Sequence, residues 1–282
     1  MLSKIKGYKD YLISEEKSSS TIHKYIHDIT GFVKWLEGRE ISKELTMEYK
    51  QILVEQYTVK TVNSVISSLN SFFIWLGCPE CKVKNVRVQK TTFTAPNRDL
   101  TMSEYERLLK TAYNLGKERL YLVMQTICAT GIRVSELCYI TIEAVKNGAT
   151  QIDCKGKTRS ILIPKKLCSM LEKYAAKNNI RKGCIFITRN GRPLDRSNIW
   201  AEMKKLCKKA CVLASKVFQH NLRHLFGKTF YAKYQDIGRL ADLLGHSSIN
   251  TTRIYTLESG EIHRNRIQNL GLIIDLTLQN TT

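Results

Sequence analysis

Apolar residues recur at helical spacing along most of the chain. Over 18–38 the positions Ile22, Tyr25, Ile26, Ile29, Phe32, Val33 and Leu36 follow the i, i+3, i+4, i+7 stripe of a half-buried helix, opened by the capping run Ser18-Ser19-Ser20 and closed by Gly38. A second helix is predicted over 58–76, burying Val62, Val65, Ile66, Leu69, Phe72, Phe73 and Leu76 and stopped by Gly77 and Pro79. Weaker stripes near 3–14 and 45–56 complete a four-helix domain spanning 1–81. Over 82–99 the periodicity vanishes. Lys82, Lys84, Arg87, Lys90 and Arg98 are interspersed there with threonines and Pro96, the composition of an extended basic linker.

Helical patterning returns at Leu100 and marks a second domain over 100–282, with helices expected near 166–177, 196–210, 220–232, 236–244, 248–257 and 261–269. One pair of strands interrupts it, 149–155 and 158–163, turning at Lys155-Gly156-Lys157 and stopped by Pro164. The fold class is therefore mainly α with a small antiparallel sheet.

Charge narrows the partners. The 282 residues hold 45 Lys and Arg against 25 Asp and Glu, a net +20, the sign that attracts a polyphosphate. A membrane is not expected: there is no apolar run of the roughly 20 residues a span needs, and no lipidation motif. The start Met1-Leu2-Ser3-Lys4-Ile5-Lys6 lacks the apolar stretch of a signal peptide, so a cytoplasmic, nucleoid-associated location is expected. Nine scattered cysteines, an odd number, fit reduced thiols. Cys78 and Cys81 have the spacing of half a zinc knuckle, but no second pair follows, and no metal is expected. The polar face of the 58–76 helix carries Thr58, Lys60, Thr61, Asn63, Ser64, Ser67, Ser68, Asn70 and Ser71. These side chains suit phosphate and sugar, or simply a solvated surface.

Candidate chemistry lies in four short segments. In Ala129-Thr130-Gly131-Ile132-Arg133-Val134-Ser135-Glu136-Leu137, a helix breaks at Gly131 and restarts with Arg133 in a first turn, where free N–H groups favour an anion. Glu136, one turn on, is placed to brace the guanidinium, although such a pair taken alone is commonly a surface ion pair. In His220-Asn221-Leu222-Arg223-His224 the imidazole of His220 and the fork of Arg223 share a helix face, while His224 points elsewhere and reads as structural. Leu243-Leu244-Gly245-His246 ends a helix and leaves His246 on an exposed turn, and Tyr255 follows nine residues later. Lys155 and Lys157 flank the hairpin turn, where a long stem reaches a phosphate or a minor groove. Together these supply a nucleophile, cationic donors and a proton source for breaking a phosphodiester without metal.

These four segments, with Cys154-Lys155-Gly156-Lys157-Thr158-Arg159 as the hairpin motif, resemble the tyrosine recombinases, the phage integrase and Xer-like superfamily. The resemblance covers nearly the whole chain. It implies a SAM-like core-binding domain over 1–81, a linker over 82–99 and an α+β catalytic domain over 100–282, the two domains forming a C-shaped clamp on DNA. It implies Tyr255 as nucleophile, Arg133 and Arg223 as phosphate clamps, and His220 and His246 as proton-handling groups. Glu136 would be the supporting acid and Lys155 the hairpin acid. Lys157, which follows Gly156 directly, is the alternative acid. The implied reaction is site-specific strand exchange through a 3′-phosphotyrosyl link and a Holliday junction, needing no cofactor. The implied partners are double-stranded DNA, a homodimer on each site, a homotetramer in the synaptic complex and, in some systems, accessory DNA-bending proteins, with 258–282 as a tail that either docks on a neighbouring protomer or packs within its own. Two other readings share the features: a type IB topoisomerase, which religates the original strand, and an inert DNA-binding regulator, which should have lost a catalytic side chain.

Overall fold

The computed structural model describes residues 2–87, 99–154, 157–188, 190–246, 248–256, 264–265, 267–270 and 272. The chain divides into two compact units, Met1–Lys90 and Thr91–Thr282. The first contains α1 (Leu2–Ser14), α2 (Ser19–Leu36), α3 (Lys43–Gln56) and α4 (Val59–Leu76). Each of the last three starts where a hydroxyl accepts an otherwise orphaned N–H: Ser18 from Thr21, Ser42 from Leu45 and Thr58 from Thr61. Ile29, Phe32 and Leu36 of α2 meet Leu69, Phe72 and Phe73 of α4 and Tyr8 and Leu12 of α1, a core centred on aromatic side chains. The stripe expected on α2 is present, but its end differs. Glu37, not Gly38, takes the left-handed cap at φ 50°, and the helix stops at Leu36.

The polar face of α4 is largely occupied by the protein itself. Asn63 donates to the Val86 carbonyl at 2.9 Å and accepts the Val86 N–H at 2.8 Å, and Asn70 does the same for Val83 at 2.9 and 3.0 Å. Each carboxamide thus replaces a neighbouring strand and satisfies both backbone groups of an extended residue. Ser68 donates to Asp28 at 2.7 Å, and Tyr8 donates to Ser71 at 2.8 Å. These four residues are structural here, a correction to reading the whole face as a nucleic-acid surface. The same bonds fasten the first part of the expected linker. Lys43 and Lys50 donate to the carbonyls of Lys82 and Lys84, and Val83 packs with Leu53, Val62 and Ile66.

The second unit contains α5 (Met102–Asn114), α6 (Glu118–Thr130), α7 (Ile142–Asn147), β1 (Ala149–Cys154), β2 (Lys157–Leu162) and α8 (Lys165–Lys177), followed by α9 (Arg196–Ala210), α10 (Gln219–Tyr234), α11 (Ile237–Leu244) and α12 (Ile249–Thr252). Val123, Met124 and Ile127 of α6 are fully buried among Leu108 of α5, Met203 and Leu206 of α9 and Leu222 of α10. The strands pair antiparallel from Ala149↔Leu162 to Cys154↔Lys157, with Ile152 and Ile161 turned into the core. Lys157 is therefore a paired strand residue and not part of the turn. Lys155 and Gly156 lie outside the described residues, as does the side chain of Lys157. The helix expected over 248–257 is shorter, α12 followed by a 3-10 turn over Arg253–Tyr255. Within the helix expected over 261–269, residues 264–265 and 267–268 are helical; residues 261–263 and 266 and most of the tail lie outside the described residues.

The asparagine pairs generate a prediction. Asn70→Ala removes both partners of Val83 and should lower the stability of the helical unit by about 1–3 kcal/mol. It should also abolish protection of the Val83 amide in hydrogen exchange. Unchanged protection would contradict the assignment.

Candidate active site

Helix α6 ends because Gly131 turns left-handed at φ 63°, and a Cβ there would lie 2.6 Å from the Phe226 ring. Arg133 follows in extended conformation as the cap of a 3-10 helix, Val134–Tyr139. The sequence reading placed it inside a helical turn with free N–H groups for an anion. Instead Glu136 takes the Arg133 N–H at 2.8 Å with one carboxylate oxygen and the Arg133 guanidinium at 2.8 Å with the other. Glu136 is 4% exposed. Burial pushes its carboxyl up, but the Arg133 bonds and the charges of Arg159 and Arg133 outweigh this, and its pKa falls below the ordinary value.

Helix α10 carries His220 and Arg223 on one face, as expected. Arg223 is 3% exposed. It donates to the Gly131 carbonyl at 2.5 Å and the Leu244 carbonyl at 2.6 Å, and approaches His246 Nε2 at 3.2 Å. Burial, then the nearby Arg133 and Arg159, pushes its pKa down to about 10, which leaves it charged at neutral pH. Ser135, Arg133, His220, Gln219, Arg223 and Arg196 line one cleft of about 210 Å³. Arg196 is a residue the sequence reading missed. It opens α9, and its carbonyl accepts from Gln219 at 2.8 Å, which ties the two helix starts together.

His246 lies just beyond α11, half-buried and not on an open turn. Its Nδ1 is 2.8 Å from Thr252 Oγ1. A guanidinium can only donate, so Nε2 must accept from Arg223, and Nδ1 carries the proton toward the threonine. Burial, followed by the charges of Arg223, Arg133, Arg159 and His220, pushes its pKa down to about 4, so the ring is neutral.

Tyr255 is 4% exposed. Its ring lies against Gly227 of α10, where a Cβ would approach within 2.5 Å, and nearly parallel to His246 with centroids 6.2 Å apart. Burial pushes the phenol up. Arg223, by charge and a hydrogen bond, and Arg133, by charge, pull it back. His224, expected to point elsewhere, is a correction: its ring centroid is 4.7 Å from that of Tyr255, and its Nδ1 is 3.4 Å from the Asp99 carboxylate. The structure thus brings Arg133, Glu136, His220, Arg223, His246 and Tyr255 into one neighbourhood. Lys155 and the Lys157 side chain are outside the described residues.

A second missed residue is Arg159 of β2. Its guanidinium bonds Glu136 and the carbonyls of Leu243 and Leu244. Arg133 and Arg159 therefore share one carboxylate, and Arg223 lies close to both; the surplus positive charge favours an anion. Among the described residues no group of His, Cys, Asp and Glu is arranged to hold a metal ion, and no helix is long and apolar enough to cross a membrane.

Residues 98–261 match the phage integrase family, and residues 5–77 match the phage integrase N-terminal SAM-like domain. The chain belongs to the phage integrase family. Among relatives of this integrase-family chain is tyrosine recombinase XerA of Pyrococcus furiosus, 28% identical over 280 residues that cover 96% of this chain and 95% of the relative. The TnP I resolvase of Bacillus thuringiensis is 26% identical over 89% of this chain and 94% of its own length. In fold the chain resembles a lambda integrase dimer bound to a COC′ core site, with TM-score 0.71 and 18% identity over 92% of this chain and 96% of that one.

The neutral imidazole has a measurable consequence. The folded pKa of His246 lies below the ordinary imidazole value of 6.5, so the unfolded chain takes up this proton first and stability falls as pH drops from there toward about 4. The NMR titration of the His246 ring should have its midpoint near 4, and His246→Gln should flatten the loss of stability over that window. A midpoint at the ordinary value of 6.5 would contradict the assignment.

Proposed function

We propose that this integrase-family chain is a site-specific DNA recombinase that cleaves and rejoins strands through Tyr255. One observation carries the reading: the buried Arg223 fork, bonded to carbonyls and next to neutral His246, sits beside the Tyr255 phenol and the cleft of Arg133 and His220. Cations held in a fixed, partly desolvated frame are suited to the charge that grows on non-bridging oxygens during phosphoryl transfer.

In the proposed reaction the Tyr255 oxygen attacks the scissile phosphorus, and its proton passes to one of the two imidazoles. The bond from phosphorus to the 5′ oxygen breaks, and that oxygen takes a proton from Lys155, or from Lys157 as the alternative. Arg133 and Arg223 hold the phosphate, and Glu136 holds Arg133. A 5′ hydroxyl from the partner duplex then attacks the 3′-phosphotyrosyl ester and releases Tyr255. The ester conserves the energy of the original bond, so neither ATP nor a divalent ion is needed. Residues 1–81 and 100–282 would both bind the duplex, joined by 82–99. Two protomers would occupy each site and four the synaptic complex, which passes through a Holliday junction.

The test is capture of a covalent adduct from a pool of randomised nicked duplexes in the presence of chelator. The wild-type chain should become linked to DNA. Tyr255→Phe should form no adduct while binding the recovered duplex with affinity within a few-fold of wild type, and Arg223→Lys should cleave at least tenfold more slowly, since loss of a key donor costs on the order of 3–4 kcal/mol. Adduct formation by Tyr255→Phe would overturn the reading. Relaxation of plasmid without exchange between two site-bearing duplexes would point to a topoisomerase.

A further inference from the structure

Arg159 is a largely buried cation at this site that the proposed reaction leaves without a role. It sits on β2 opposite Ile152, its side chain is 11% exposed, and it is not among the residues lining the cleft. Its two terminal nitrogens point to different segments. One donates to Glu136 Oε2, whose companion oxygen holds the Arg133 guanidinium. The other donates to the carbonyl of Leu244 and, at 3.3 Å, to that of Leu243. The Leu244 carbonyl also accepts from Arg223 at 2.6 Å, and two residues on is His246. The next residue, Gly245, leaves room for this: a Cβ there would stand 2.5 Å from Arg159 Cδ.

A planar fork can satisfy a carboxylate and two carbonyls at once, whereas a lysine ammonium is one point that satisfies one direction well. We propose that Arg159 is a positioning residue for strand cleavage, fixing the Arg133–Glu136 segment and the Leu244–His246 turn to one strand so that both face the same phosphate. It acts through Glu136 and the turn and does not touch DNA. This inference rests on the recombinase reading given above.

Single-turnover cleavage of the duplex recovered by adduct capture tests it, with duplex affinity measured separately. Arg159→Lys should keep the duplex dissociation constant within about threefold of wild type and lower the cleavage rate at saturation at least 30-fold. Arg159→Met, which keeps the apolar stem and lacks the fork, should behave alike and serves if the lysine variant does not fold. Combined with Glu136→Gln, either substitution should slow cleavage no more than about threefold beyond the slower single variant, because both act along one path. Three results would overturn the proposal: cleavage within threefold of wild type, affinity lost in step with rate, or effects that multiply in the double variant. A wild-type chain that forms no adduct would instead sink the recombinase reading.

Discussion

A guanidinium taken out of water without a carboxylate of its own is the constraint on which the rest of the site depends. Arg223 is charged and almost fully buried, and an unpaired buried charge is costly. The chain offsets that cost with helix ends. Helices α6 and α11 both stop at glycines in the left-handed region, and the carbonyls they leave at Gly131 and Leu244 accept from Arg223. The last carbonyls of a helix lack internal partners and carry the negative end of its dipole, so two such ends make a cationic seat without cancelling the charge. The cation remains available to a phosphate.

The same seat sets the state of its neighbours. Arg223 donates to His246 Nε2, which requires a neutral ring and directs the other nitrogen toward Thr252. It also opposes the effect of burial on the Tyr255 phenol. Tyr255 reaches this place because α10 presents Gly227 and not a side chain to its ring, and because Leu240, Leu244, Phe226 and Phe230 pack around it. Glu136 does the corresponding work for Arg133, at the cost of burying one carboxylate beneath two arginines.

Much of this was legible in the sequence because it is local. The stripes of α2 and α4 follow from spacing, the cap at Ser18 from side-chain chemistry, and the pairing of Arg133 with Glu136 from their separation by three residues. What escaped depends on long-range contact. Arg159 looked like another basic hairpin residue, since its partners lie 23 and 85 positions away. Asn63 and Asn70 looked like surface amides until residues 83–86 came to lie along α4, although their seven-residue spacing on one helix face was a signal that could have found them. Arg196 could be placed beside His220 only once the starts of α9 and α10 were joined, and His224 beside Tyr255 only once the Arg253–Tyr255 turn had packed against α10.

The central claim is that the Tyr255 oxygen and the Arg223 seat act on one phosphorus. Protease digestion of a trapped covalent complex, followed by mass spectrometry of the nucleotide-bearing peptide, addresses this most directly. The account requires the nucleotide on Tyr255, joined through its 3′ phosphate, with a free 5′ hydroxyl on the released strand. Attachment at any other residue, or a link through a 5′ phosphate, would contradict it.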